Sequence, residues 1–212
     1  MNTFILDLET TGLSSQKDQI IEIAIKQFDT EKSYSSLVKP VKQSGKYVCD
    51  RIVEITGISN EMIESDGISS QSACEQLFNY IFENSSKDEQ PIFLLAHNGK
   101  SFDFVFIQRL FRAYTEYAIT HGINIMNMIK SYERFKYIDT LHLARFVLPN
   151  ITSHSQKNLA IYFKLFQENA HRALNDVLDL EYIYKCLVTD YINRNSLDSS
   201  LLYNTQFIFD LY

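Results

Sequence analysis

The sequence predicts an α/β fold in which an antiparallel meander is followed by strand–loop–helix units. Two observations carry this. Residues 2 to 8, 19 to 28 and 33 to 39 read as successive strands whose separating segments are too short to hold crossover helices. Ile92-Phe93-Leu94-Leu95-Ala96 is a continuous apolar run of the kind buried on both faces, and a loop and a helix follow it.

In chain order, the first strand ends in Asp7-Leu8-Glu9-Thr10-Thr11-Gly12-Leu13. A strand's period of two puts Asp7 and Glu9 on one face. Two like charges so close need a cation or a strong donor to stay ionised together. The plain alternative is a pair of acids at a solvated strand end. Small residues follow, and Gly12 lets backbone approach a ligand.

The second strand is Gln19 to Phe28, and the third, Ser33 to Lys39, stops at Pro40. Residues 41 to 58 read as irregular, and Thr56-Gly57-Ile58-Ser59-Asn60-Glu61 offers a turn and an N-cap into a short helix, Glu61 to Ser65. Ser69 to Asn84 is helical, with an apolar stripe at 73, 77, 78, 81 and 82. After the loop 84 to 91 and the buried strand comes a helix from Ser101 to Tyr117, with Phe104, Ile107, Leu110 and Phe111 inward. Residues 118 to 134 are ambiguous. Tyr137 to Thr140 passes from a strand end into a helix capped by Asp139 or Thr140 and stopped by Pro149. Gln156 to Phe166 and Ala170 to Val188 are two more helices. Asp190 to Tyr212 has no clear assignment. Its apolar residues Leu201, Leu202, Tyr203, Phe207, Ile208, Phe209, Leu211 and Tyr212 suit either a packed segment or a docking segment for a protein partner.

The chain's 212 residues suit one domain over 1–190 with a C-terminal extension, 191–212, packed on it. Lys and Arg number 20 against 26 Asp and Glu, a net charge of −6, which argues against a broad non-specific coat on nucleic acid. A small site gripping a strand end is still allowed. Cys49, Cys74 and Cys186 are widely spaced and odd in number, which suggests reduced thiols in an intracellular compartment. Neither a leader-like start nor a membrane-length apolar run is present, so a soluble protein with no membrane partner is expected.

Two further acidic centres follow. Asp103 ends Ala96-His97-Asn98-Gly99-Lys100-Ser101-Phe102-Asp103, in the first turn of its helix, where an acid also serves simply to offset the helix dipole. His171 and Asp176 lie in His171-Arg172-Ala173-Leu174-Asn175-Asp176. Five residues apart, they would stand about 140° apart on a regular helix, so a shared site needs His171 before the helix and Asp176 inside it. Each alone reads as surface decoration. Together, Asp7, Glu9, Asp103, Asp176 and His171 match what two-metal phosphodiester hydrolysis requires. Oxygen donors select Mg²⁺ or Mn²⁺, and an imidazole, whose unperturbed pKa lies near neutrality, suits His171 to the part of general base.

These three motifs, in this order over roughly residues 3 to 188, resemble the DEDD 3′–5′ exonucleases. The branch is the one with His in the last motif, the DnaQ-like or DEDDh enzymes, which include the proofreading epsilon subunit and the three-prime repair exonucleases. Asp139-Thr140-Leu141 with Ala144-Arg145 also resembles the segment before the third motif. The resemblance implies a ribonuclease H-like mixed sheet and two divalent ions held by Asp7, Glu9, Asp103 and Asp176, with Asp103 acting mainly through water. It implies His171 as general base and Thr10 and Leu13 at the terminal nucleotide, Leu13 as an apolar wedge. His97 would touch substrate, beside Asn98, and Ser153-His154 lies where these enzymes place further strand contacts. Phe102 suits either stacking on a base or a place in the core. The expected activity is removal of nucleoside 5′-monophosphates from single-stranded 3′ ends, DNA favoured over RNA. Alternatives are an exoribonuclease or oligonucleotide trimmer, and a non-catalytic binding module. A polymerase partner and a homodimer are both open.

Overall fold

The computed structural model describes residues 2–86, 89–165 and 172–211. Its strands are β1 (Thr3–Thr10), β2 (Ile20–Gln27), β3 (Ser33–Lys39), the two-residue β4 (Ile68–Ser69), β5 (Ile92–Ala96) and β6 (Phe135–Asp139). They lie in the order β4-β3-β2-β1-β5-β6. β1, β2 and β3 form the expected antiparallel meander, while β5 runs parallel to β1 and β6 parallel to β5.

The helices are α1 (Asp50–Thr56), α2 (Asn60–Asp66), α3 (Ser70–Asn84), α4 (Asp103–Thr120), α5 (Met126–Glu133), α6 (Thr140–Val147), α7 (Gln156–Tyr162), α8 (Ala173–Arg194) and α9 (Thr205–Phe209). They bury the two faces of the sheet separately. Phe4, Leu6 and Leu8 of β1 point into one core with Leu77 and Phe78 of α3 and Ile107 and Phe111 of α4. Ile5 points the other way, into a core with Leu143, Val177, Leu180 and Tyr184 of α6 and α8. Alternation thus puts Asp7 and Glu9 on the α8 side of β1.

Several boundaries differ from expectation. Residues 41 to 58 are not wholly irregular, because α1 forms over 50–56. Its N-cap Cys49 makes no side-chain cap bond, and its stop, Gly57 at φ 69°, is clearer than its start. Residues 126–133 of the ambiguous stretch form α5, held by Tyr132 stacked on Phe111 at 3.9 Å. α7 ends at Tyr162 rather than Phe166, with Lys164 in the left-handed region at φ 57°. α8 begins at Ala173 and runs on past Val188, because Ile192 continues its buried stripe. Beyond it, a 3-10 turn (Ser199–Tyr203) and α9 lie against the second core. Ile208 is fully buried, Phe209 packs on Phe93, and Thr205 bonds Thr3. The apolar side of this segment is therefore largely covered by the rest of the chain.

Two ion pairs pin α8 to β2, one half-exposed at Arg172 and one buried on both sides. Glu22, 2% exposed, accepts from Arg172 Nη2 at 2.8 Å and from the Ala173 amide at 3.0 Å, just where the helix begins. Two turns further on, Lys26 meets Glu181. Glu22 pairs with Glu9 in the β1–β2 register, so the first clamp lies beside the acidic strand end.

Candidate metal and nucleic-acid site

The acidic strand end faces the first turns of α8. One carboxylate oxygen from each of Asp7, Glu9 and Asp176 falls within 4.8 Å of the others. The β1–β2 pairing shifts register between Glu9 and Thr10, an irregularity directly after the second acid, and the strand ends at Thr10. Asp176 is held in height by its own backbone carbonyl, which accepts from Gln156 Nε2 at 2.7 Å.

Asp103 is the first residue of α4 and is buried. Its charge adds to those of Asp176, Glu9 and Glu22 in raising the pKa of Asp7, although loss of hydration is the largest cause. Burial, then Asp176, Glu22 and Asp103, push Glu9 up to about 8, with Arg172 opposing. Burial and the charge of Asp139 raise Asp103 to about 7, against hydrogen bonds from its own backbone amide and that of Leu8.

This arrangement fits a divalent cation. The donors are hard carboxylate oxygens converging from two elements, and their repulsion must otherwise be relieved by protons. The consequence for stability has a definite sign. All three carboxyls have folded-state pKa values above their unfolded ones, so each contributes stability that is complete below about pH 4 and is lost as pH rises, for Asp103 through about 7 and for Glu9 through about 8, with Asp7 shifted in the same direction. In chelator, the melting temperature is expected to fall between about pH 5.5 and pH 8.5, and Mg²⁺ or Mn²⁺ to raise it more at the higher pH. Melts in which metal has the same effect at both pH values would contradict a charge-crowded site.

The remaining candidates divide. Leu13 is 87% exposed on the loop after β1, free to meet a ligand. Thr10 is buried, its hydroxyl donating to the Gly12 carbonyl at 2.7 Å, so it shapes the turn. Both ring nitrogens of His97 are engaged by protein: Nδ1 lies 3.0 Å from the Thr140 hydroxyl, and Nε2 is 2.9 Å from the His154 carbonyl. The carbonyl partner fixes the Nε2–H tautomer, and burial lowers the His97 pKa. Asn98 is exposed in the left-handed region at φ 61° and donates its amide to Asp139. Phe102 is half-buried, its ring 4.9 Å from that of Phe106 and packed on the first core. His154 Nε2 lies 2.9 Å from the Leu148 carbonyl. His171 lies outside the described residues.

Three contributors lie outside the expected set of site residues. Asp139 caps α6 as expected, and its two oxygens also accept the Asn98 and Lys100 amides, binding the His97–Lys100 loop to β6. Glu22 carries its own signal, since a charge inside Ile20-Ile21-Glu22-Ile23 must find a buried partner. The third, Asp18 with Arg109, carries no local signal, because its bonds join the loop after β1 to α4.

The RNase T-type family model, described as exonuclease, matches residues 4–184. The chain belongs to this exonuclease family. It is 31% identical over 198 residues to exonuclease DPD1, chloroplastic/mitochondrial, of Arabidopsis thaliana, covering 90% of this chain and 57% of that protein. With the DNA polymerase III PolC-type of Mycoplasma genitalium it shares 29% identity over 191 residues, 86% of this chain but 11% of the polymerase. E. coli exonuclease I, solved in complex with a dT13 oligonucleotide, superposes with a TM-score of 0.65 at 16% identity, over 98% of this chain and 43% of that one. The shared fold is ribonuclease H-like, a mixed sheet flanked by helices. The chain thus spans about half or less of these proteins. Among the described residues, no helix is long and apolar enough to cross a membrane.

Proposed function

We propose that this chain is a metal-dependent 3′–5′ exonuclease that hydrolyses single-stranded nucleic acid, DNA favoured, and releases nucleoside 5′-monophosphates. The observation that carries this is the convergence of Asp7, Glu9 and Asp176 oxygens within 4.8 Å, with Asp103 adding its charge, in a chain of the exonuclease family. Two divalent ions, Mg²⁺ or Mn²⁺, would polarise the phosphodiester and make a water acidic enough to attack at neutral pH. Asp7, Glu9 and Asp176 would hold them directly and Asp103 largely through water. His171 takes the proton of the attacking water, and its place one residue before Arg172 ties it in sequence to the clamp on Glu22. Leu13 packs against the terminal base, beside the turn shaped by Thr10. Asn98 and Phe102 border the strand on the other side, and His97 offers its ring rather than a free nitrogen.

DNA is favoured because relatives include a DNA polymerase and exonuclease I in complex with deoxy-oligonucleotides. The polymerase likeness also makes a polymerase a reasonable protein partner. The test uses DNA and RNA oligonucleotides labelled at the 5′ end, with Mg²⁺, Mn²⁺ or chelator. A ladder shortening from the 3′ end, lost in chelator and in His171→Ala, is expected, faster on DNA. A faster ladder on RNA would select the exoribonuclease reading. Intact strands in every metal would leave a binding module or a subunit awaiting its partner.

A further inference from the structure

We infer that Asp18, anchored by Arg109, is a positioning residue that sets the loop bearing Leu13 and so determines recognition of the terminal base. The inference rests on the exonuclease reading above.

The loop from Thr11 to Gln19 leaves β1 and returns as β2, and Asp18 ties it across its width. Asp18 Oδ1 accepts from the Thr11 hydroxyl at 3.2 Å, and Oδ2 accepts from the Ser14 amide at 2.8 Å. The two donors, Thr11 and Ser14, bracket Gly12 and Leu13. At the base of the loop, the Thr11 amide donates to the Gln19 carbonyl and the Gln19 amide to the Thr11 hydroxyl. Arg109, two turns into α4, closes the structure from below. Its Nη1 donates to the carbonyls of Ser15 at 2.6 Å and Asp18 at 2.8 Å. The helix that begins with Asp103 therefore also holds the loop that carries Leu13.

Space at Gly12 shows how closely the carboxylate fits. A Cβ built there would stand 2.6 Å from Asp18 Oδ2, so any side chain must push the carboxylate off its donors. Leu13, meanwhile, is 87% exposed and makes no use of the core. An exposed leucine on a loop with this much internal bonding is held out rather than left out. Without the ties its direction would be one of many, and a wedge must be ordered before it can pack on a base.

The experiment measures cleavage, and binding in Ca²⁺, of single-stranded oligonucleotides ending in either a normal or an abasic 3′ nucleotide. Wild type is expected to favour the base-bearing end. Asp18→Ala should raise KM for that end about tenfold with little change in kcat, leave the abasic end unaltered, and bind Mn²⁺ as wild type does; tenfold corresponds to about 1.4 kcal/mol. Asp18→Asn, which keeps one acceptor, should recover part of the loss, and Gly12→Ala should reproduce part of it. Leu13→Ala should match Asp18→Ala, and the double variant should be no worse than either. An equal loss on both ends, additive effects with Leu13→Ala, or an unaltered Asp18→Ala would overturn the inference. A wild type that neither cleaves nor binds either strand would instead overturn the exonuclease reading.

Discussion

Replacing Asp7 by asparagine is expected to lower nuclease turnover about a thousandfold or more while leaving the metal-free fold at least as stable as wild type. Asp7 shares its site with Glu9 and Asp176, and its pKa is raised by lost hydration and by the charges of Asp103, Asp176, Glu9 and Glu22. An amide has the shape of the protonated acid that this environment favours, so the apo protein loses little and sheds one repelling charge. The same change removes a central anionic donor, and metal-assisted charge stabilisation is worth several kcal/mol, with each 1.4 kcal/mol or so equal to a factor of ten in rate. Calorimetry with Mn²⁺ and melting curves with and without metal separate the two effects. Weakened metal binding with an undiminished apo melting temperature is the expected pair. Full turnover in Asp7→Asn would remove the site from this end of the sheet.

What could be read from the sequence depended on whether a residue's role was local. Asp7 and Glu9 were legible together because strand period alone decides that they share a face. Asp103 was placed at a helix start by the loop before it, and Asp139 as a cap by the strand that precedes it. The β1–β3 meander followed from short connections, and the stripe of α3 from its spacing. α1 was not legible: Ile52, Val53 and Ile55 are β-branched, the helix has only seven residues, and Cys49 gives no capping bond. The end of α8 was obscured by Thr189 and Asp190, although Ile192 continues the buried face. The least legible features join distant segments. Asp18 meets Arg109 across 91 residues and Glu22 meets Arg172 across 150, separations at which no local pattern operates.

The same long-range bonding makes Glu181→Ala the substitution with the largest expected effect on stability. Glu181 is 8% exposed and accepts from Lys26, itself 5% exposed, and from the Asp29 amide at 2.7 Å, while Lys185 lies 3.2 Å away. Its loss leaves a buried ammonium without its carboxylate and a backbone donor without its acceptor. Breaking such a pair from one side costs about 3–5 kcal/mol, or about 6–20 °C in melting temperature for a chain of this length. The pair as a whole contributes much less, since desolvation offsets most of its attraction. The double variant Lys26→Met with Glu181→Leu is therefore expected to recover most of the loss, and a thermal melt of wild type, both singles and the double measures the coupling. Well below its melting point Glu181→Ala should still bind metal, because the Arg172–Glu22 clamp continues to hold the first turn of α8, where Asp176 sits. A single variant that melts like wild type would show that Lys26 finds water or another anion, and that α8 is seated on the sheet by its apolar stripe alone.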